Sequence, residues 1–159
     1  MAKNMLKSRK AFVACSGGSR NHHCRDGCMA CSGCIEACRK EAIFYNENGA
    51  AEVDTAKCIG CGLCVKVCPQ DLIHLRNEWN PFYVRCSGHL KGSKAKDACE
   101  VSCIQCGLCA KNCPADAVSV DNGAAVIKEK RCLSCGNCVV KCPRGTIKDA
   151  RNIIRISKA

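Results

Sequence analysis

A chain of 159 residues has room for one ordinary domain or two very small ones, and an aromatic content of 4% leaves it without the large side chains that usually fill a core. Twenty cysteines offer another way to hold small units together. The formal charge of +11 counts every one of those cysteines as neutral, so it does not by itself establish a nucleic-acid footprint.

The segment Met1 to Lys10 is polar and basic without periodicity and reads as an N-terminal arm, solvated or in contact with a partner. It holds no apolar stretch of the signal-peptide kind, and no run in the chain approaches the roughly 20 apolar residues of a membrane span. The expected setting is soluble, reducing and cytoplasmic, where regularly spaced cysteines bind metal rather than pair as disulfides. Ala11-Phe12-Val13-Ala14-Cys15 then reads as a short strand entering a Ser16 to Ser19 loop, with Cys24 following. The first of four cysteine runs extends from Cys28 to Cys38.

After it, Ala42-Ile43-Phe44-Tyr45 and Ala50-Ala51-Glu52-Val53 flank Asn48-Gly49, a strong hairpin signal. The second run, Cys58 to Pro69, is followed by a polar stretch, Asn77-Glu78-Trp79-Asn80-Pro81, which suits a connection because proline interrupts a central strand. Trp79, the only tryptophan, is expected to cover apolar surface between two halves. The grammar then repeats: Tyr83 to Gly88 parallels Phe12 to Gly17, Cys99 parallels Cys24, and Cys103 lies 75 positions after Cys28. A second Asn-Gly hairpin, Ala117 to Ile127, separates the third run, Cys103 to Pro114, from the fourth, Cys132 to Pro143. The tail Ile153-Ile154-Arg155-Ile156 reads as a final edge strand. The expected organisation is an arm at 1–10 and two units at 11–80 and 81–159.

Each run is C-x2-C-x2-C-x3-C, and three of the four end in proline; Arg39 takes that place in the first. Thiolates with two residues between them wrap three iron corners of a cubane from one short loop, leaving the fourth corner to a distant residue. Gly60, Gly62, Gly107 and Gly136 suit a loop whose backbone closely approaches an inorganic core. Pro69, Pro114 and Pro143 limit helix around the ligand turns. Structural zinc prefers two Cys-x2-Cys pairs per ion over runs of four. An oxidised [4Fe-4S] core of +2 with four thiolates carries −2, so four of them bring −8 against the +11 and leave about +3.

Each unit resembles a bacterial 2[4Fe-4S] ferredoxin over residues 24 to 148. The resemblance implies an α+β fold of short β-hairpins and short helices, with the fourth cysteine of each run serving the other cluster. In the first unit Cys28, Cys31, Cys34 and Cys68 would hold one cluster, and Cys58, Cys61, Cys64 and Cys38 the other. In the second unit the sets are Cys103, Cys106, Cys109 and Cys142, and Cys132, Cys135, Cys138 and Cys113. Val84-Arg85-Cys86-Ser87-Gly88-His89, the spacer to Cys99 and the third run resemble more specifically the B subunit of Rnf-type electron-transport complexes. That resemblance implies a multi-cluster wire that takes electrons from a reduced ferredoxin or similar donor and passes them towards flavin subunits. The N-terminal membrane anchor of that pattern is not expected in this chain.

Cys15, Cys24, Cys86 and Cys99 stand outside the runs and allow three readings: thiols without a ligand, local pairs of Cys15 with Cys24 and Cys86 with Cys99, or further metal ligation. Cys24-x3-Cys28-x2-Cys31 and Cys99-x3-Cys103-x2-Cys106 also match a radical S-adenosylmethionine spacing, but those cysteines belong to the runs and the chain is too short for the usual barrel. His22, His23, His74 and His89 form no ligand pattern.

The expected function is electron transfer through four [4Fe-4S] clusters, as an iron-sulfur subunit in a hetero-oligomer with a flavoprotein or other oxidoreductase subunit. Catalysis by the chain alone is not expected, because the cofactor performs the chemistry. Basic stretches at Lys91 to Lys96 and Lys128 to Arg131 suit a docking surface. A free polyferredoxin carrier is the second reading, and a zinc-binding nucleic-acid module a remote third.

Overall fold

The structure, a computed structural model, describes residues 8–17 and 24–154. Among these, every strand belongs to a two-stranded antiparallel sheet. In the first half β1 (Arg9–Val13) pairs with β4 (Ile73–Asn77), and β2 (Ile43–Tyr45) with β3 (Ala51–Val53). In the second half β5 (Phe82–Val84) pairs with β8 (Ile147–Asp149), and β6 (Val118–Ser119) with β7 (Val126–Ile127). First strand with last, hairpin between: the same plan is built twice, as in tandem ferredoxin-like domains.

The first hairpin forms because Asn46 supplies what its turn needs. Its side-chain oxygen accepts the amides of Asn48 and Ala50 at 3.0 and 3.1 Å, an Asx turn that closes β2 onto β3. The helices are brief: α1 (Gly33–Glu36), α2 (Leu63–Val67), α3 (Gly92–Ala98), α4 (Leu108–Lys111) and α5 (Asn137–Val140). Four of them sit inside the cysteine runs and end before the fourth cysteine, so the prolines follow a turn the helix has already left.

Two apolar cores form, one per half. Ala11, Val13, Ala42, Ile43, Leu72 and Ile73 pack with Cys34, Cys58 and Cys64; Phe82, Val84, Val118, Val139 and Ile147 pack with Cys109 and Cys138. Thiols are thus part of the core in both. The halves meet through polar contacts: Arg85 with Glu52 at 3.1 Å, Arg76 with Glu129 at 3.5 Å, and the Ser87 hydroxyl donating to the Asp26 carbonyl at 2.6 Å. The Phe12 and Tyr83 rings add an aromatic contact at 5.2 Å.

Three expectations change. Strand β1 begins at Arg9, because its register with Asn77 carries pairing back past the apolar stretch; residues 1–7 lie outside the described part. Trp79 is 52% exposed and does not cover the boundary; the neighbouring Asn80 is the buried residue, its amide reaching the Glu129 carbonyl at 3.5 Å. Ile153 and Ile154 join no strand, since the Asp149 carboxylate accepts the amides of Arg151 and Ile154 at 3.0 and 3.1 Å and turns the chain away. Arg155 and Ile156 lie outside the described residues, as do His22 and His23.

Candidate iron-sulfur sites

The four runs share one backbone conformation. Two residues after the first cysteine the chain is left-handed, at Ala30, Gly60, Gln105 and Ser134, and it is left-handed again just after the second, at Ser32, Gly62, Gly107 and Gly136. Such reversals curl a loop into a concavity lined by backbone amides. A helix then starts and carries the third cysteine inward. Consequently Cys34, Cys64, Cys109 and Cys138 are buried, while the second cysteines, Cys31, Cys61, Cys106 and Cys135, are exposed.

The fourth cysteine of each run is held by a turn of its own. Glu41, Asp71, Asp116 and Gly145, three residues on, are all left-handed and donate their amides back to the carbonyls of Cys38, Cys68, Cys113 and Cys142. In three runs the next amide reaches the sulfur itself: Ala42 to Cys38 Sγ at 3.4 Å, Leu72 to Cys68 Sγ at 3.4 Å, and Ala117 to Cys113 Sγ at 3.2 Å. Arg39 does not disturb this arrangement in the first run. Strand β1 adds another donor, the Ala11 amide, to Cys58 Sγ at 3.4 Å.

The electrostatic surroundings of the buried thiols show which cysteines come together. Burial raises the Cys34 pKa, and the neighbours that raise it further are Cys28, Cys31 and Cys68. Burial pushes Cys64 up to about 11, with Cys58, Cys38 and Cys61 beside it. Burial likewise takes Cys109 to about 11, among Cys103, Cys142 and Cys106. Cys138 reaches about 12, through burial first and then Cys132, Cys109 and Cys135. In three groups the outlying member comes from the partner run; around Cys138 the partner run's chief contribution is Cys109 rather than Cys113.

Thiols that are desolvated and mutually repulsive stay protonated unless a cation joins them. A cubane iron core is such a cation, and amides donated to sulfur favour the thiolate form it binds. The donor set therefore fits a [4Fe-4S] group. Among the described residues no group of three or more His, Cys, Asp or Glu side chains is arranged to hold a metal ion.

Two features of these surroundings carry no signal in the spacing. Arg76, from the first half, is buried next to Cys132 and Cys138 of the second, where burial lowers its pKa and Glu129 and those thiols raise it. Cys15, Cys24, Cys86 and Cys99, separated widely along the chain, line one common cavity. His74 instead packs on the Phe12 ring at 5.6 Å, and His89 Nδ1 stands 3.2 Å from the Asp26 carboxylate.

Residues 23–75, 57–118 and 102–147 each match a 4Fe-4S dicluster domain. With the repeated fold, these matches define the chain as an iron-sulfur protein of tandem, ferredoxin-like [4Fe-4S] units. It is 40% identical over 122 residues to the B subunit of the Na(+)-translocating ferredoxin:NAD(+) oxidoreductase complex of Acetobacterium woodii, covering 77% of this chain and 36% of that protein. It is 38% identical over 73 residues to the B subunit of the ion-translocating oxidoreductase complex of Methanosarcina acetivorans, 43% of this chain and 27% of that one. It is 45% identical over 62 residues to the formate dehydrogenase-O iron-sulfur subunit of Escherichia coli, 37% of this chain and 21% of that one. The chain thus spans between 21% and 36% of the length of these relatives. No helix among the described residues is long and apolar enough to cross a membrane.

Proposed function

We propose that the chain conducts electrons through four [4Fe-4S] clusters as the iron-sulfur wire of a larger oxidoreductase complex, docked to a flavoprotein or another oxidoreductase subunit. Its relatives from Acetobacterium, Methanosarcina and Escherichia are subunits of oxidoreductases, which supports a hetero-oligomeric partner. The units are read as 11–80, with β1 reaching back to Arg9, and 81–159, in a cytoplasmic setting. The ligand sets are Cys28, Cys31, Cys34 and Cys68; Cys58, Cys61, Cys64 and Cys38; Cys103, Cys106, Cys109 and Cys142; and Cys132, Cys135, Cys138 and Cys113.

The observation that carries this reading is the exchange between runs. Cys68 acts on Cys34, Cys38 on Cys64, and Cys142 on Cys109, so that in three of the four runs the third cysteine has the fourth cysteine of the partner run as a neighbour. Bound clusters supply one-electron chemistry without a bond to make or break. The chain holds them, excludes water at the third cysteine of each run, and leaves the second cysteine near solvent, where a partner can approach. Lys91, Lys94 and Lys96 in one stretch and Lys128, Lys130 and Arg131 in another are exposed and offer positive charge to an acidic partner face.

Anaerobic purification from the native source, with iron, sulfide and zinc measured, tests the proposal. Equal iron and sulfide and a co-purifying flavin-containing subunit support it. Replacing Cys34, Cys64, Cys109 or Cys138 with Ala is expected to remove at least about four irons per chain, always from the unit that was altered. Zinc in place of iron overturns it. Purification as a free chain that exchanges electrons with soluble donors favours the polyferredoxin carrier.

A further inference from the structure

The four cysteines outside the runs come together across the two halves, two from each. Ideal Cβ placement on Gly27 falls 3.5 Å from Cys24 Sγ and 3.7 Å from Cys15 Sγ, so both sulfurs crowd one point that glycine leaves open. Cys15 and Cys99 both act electrostatically on Cys24, Cys15 acts on Cys99, and Cys24 acts on Cys86. With Cys86 and Cys99 they line one small cavity of about 30 Å³. Each of Cys86 and Cys99 thus has a neighbour among the extra cysteines of the other half.

Each of the four sulfurs is also prepared in the same way. The amide two residues further on donates to it: Gly17 to Cys15 at 3.4 Å, Gly88 to Cys86 at 3.3 Å, Asp26 to Cys24, and Val101 to Cys99. Burial raises Cys24 and Cys99 and pushes Cys86 up to about 11, and these amides act against it. A cation stands close by, for Arg144 Nη2 donates to the Cys99 carbonyl at 3.1 Å and its buried Nε has no protein partner. Asp26 is the opposing charge beside Cys24, and it is engaged with His89 at 3.2 Å.

We propose that Cys15, Cys24, Cys86 and Cys99 form a fifth [4Fe-4S] site, shared between the two units and lying between their first cysteine runs. Its placement follows from two equivalent hydrogen bonds. The Cys28 amide donates to Cys15 Sγ at 3.4 Å, and the Cys103 amide donates to Cys86 Sγ, so the site abuts the leading ligand of the first run in each half. Four thiols, two from each half, match the four iron corners that a [4Fe-4S] core presents. The site explains why both repeats carry the extra pair. It joins two dicluster units into one conductor: an electron leaving a reduced cluster in one half passes through it to an oxidised cluster in the other, with no proton or bond exchanged.

Native mass spectrometry of the unmutated, anaerobically purified chain counts clusters directly and does not depend on a variant folding. Five clusters and about twenty irons are expected, falling to four and about sixteen in the Cys24→Ala/Cys99→Ala double variant. Four clusters in the unmutated chain overturns the site, as does one zinc lost on mutation, or a Cys15–Cys24 or Cys86–Cys99 disulfide in non-reducing peptide maps. These outcomes leave the four run clusters standing. Failure of the run assignment appears separately, as iron retained after Cys34→Ala or Cys109→Ala.

Discussion

The two halves share their cluster loops and their strand plan, and differ in how far the strands around those loops extend. In the first, β1 and β4 pair over five positions; in the second, β5 and β8 pair over three. Yet all four runs place left-handed residues at the same two positions. Ligand geometry is therefore fixed by the loops themselves, and the sheets are free to vary so long as they close the core behind the buried thiols.

That contrast is sharpest at the left-handed position before the second cysteine. Ala30, Gln105 and Ser134 carry side chains there, so a positive φ alone does not demand glycine. Gly60 differs because β1 crosses it: a Cβ would lie 2.0 Å from the Arg9 carbonyl oxygen. Gly60→Ala is expected to force β1 off β4 and lower the apparent Tm by about 10 °C or more, a cost of about 2–4 kcal/mol. Ala30→Gly, at the equivalent place, should leave Tm unchanged or raise it slightly, since it relieves a left-handed alanine. Heating followed by loss of cluster absorbance measures both. Equal effects at the two positions would mean that strand approach is irrelevant to the loops.

The four runs, both hairpins, the repeat and β1 are legible in the sequence because each is a pattern with a local cause. Cysteine spacing, Asn-Gly turns and strand alternation all act within about a dozen residues. What escapes such reading depends on distant partners. Ile73 to Asn77 has no hairpin signal of its own, and becomes β4 only because β1, far earlier in the chain, lies alongside it. Gly92 to Ala98 is largely polar and buries a single alanine, so it shows no apolar stripe. Trp79 is conspicuous by its size, whereas the reach of Asn80 to Glu129 decides which side chain turns inward. The gathering of Cys15 with Cys99 leaves no spacing to read, for the two lie in different repeats.

A second difference lies at the ends of the closing strands. Leu75 in β4 faces Ala11, and its register counterpart in β8 is Asp149, facing Phe82. Burial would raise the Asp149 carboxyl, but the amides of Ile154 and Arg151 and the Arg151 guanidinium outweigh that and hold its pKa below the ordinary value. A carboxylate depressed on folding contributes stability that is present above its unfolded pKa of about 4 and is lost as pH falls through the folded value. Asp149→Asn is expected to cost about 1–2 kcal/mol near neutral pH. In thermal melts the gap between the two proteins should stay constant above about pH 5 and close in more acid solution. A gap that does not change with pH would assign the effect to packing against Phe82 instead.

The smallest effect is expected at the boundary between the halves. Arg85 and Glu52 form an ion pair at 3.1 Å, supported by the Asn46 amide at 3.2 Å from the same carboxylate oxygen, with Glu52 still about a third exposed. Solvent screening limits such a pair to about 1 kcal/mol or less. Glu52→Gln should therefore shift the apparent Tm by only a few degrees, and high salt should erase the difference. A double-mutant cycle with Arg85→Gln isolates the pair. A coupling well above 1 kcal/mol that survives salt would mean that the halves are held by this contact. A coupling near zero leaves their alignment to the other contacts, among them Arg76 with Glu129, Ser87 with Asp26 and the half-buried thiols at Cys15, Cys24, Cys86 and Cys99, and the Cys24→Ala/Cys99→Ala variant should then loosen the boundary more than Glu52→Gln does.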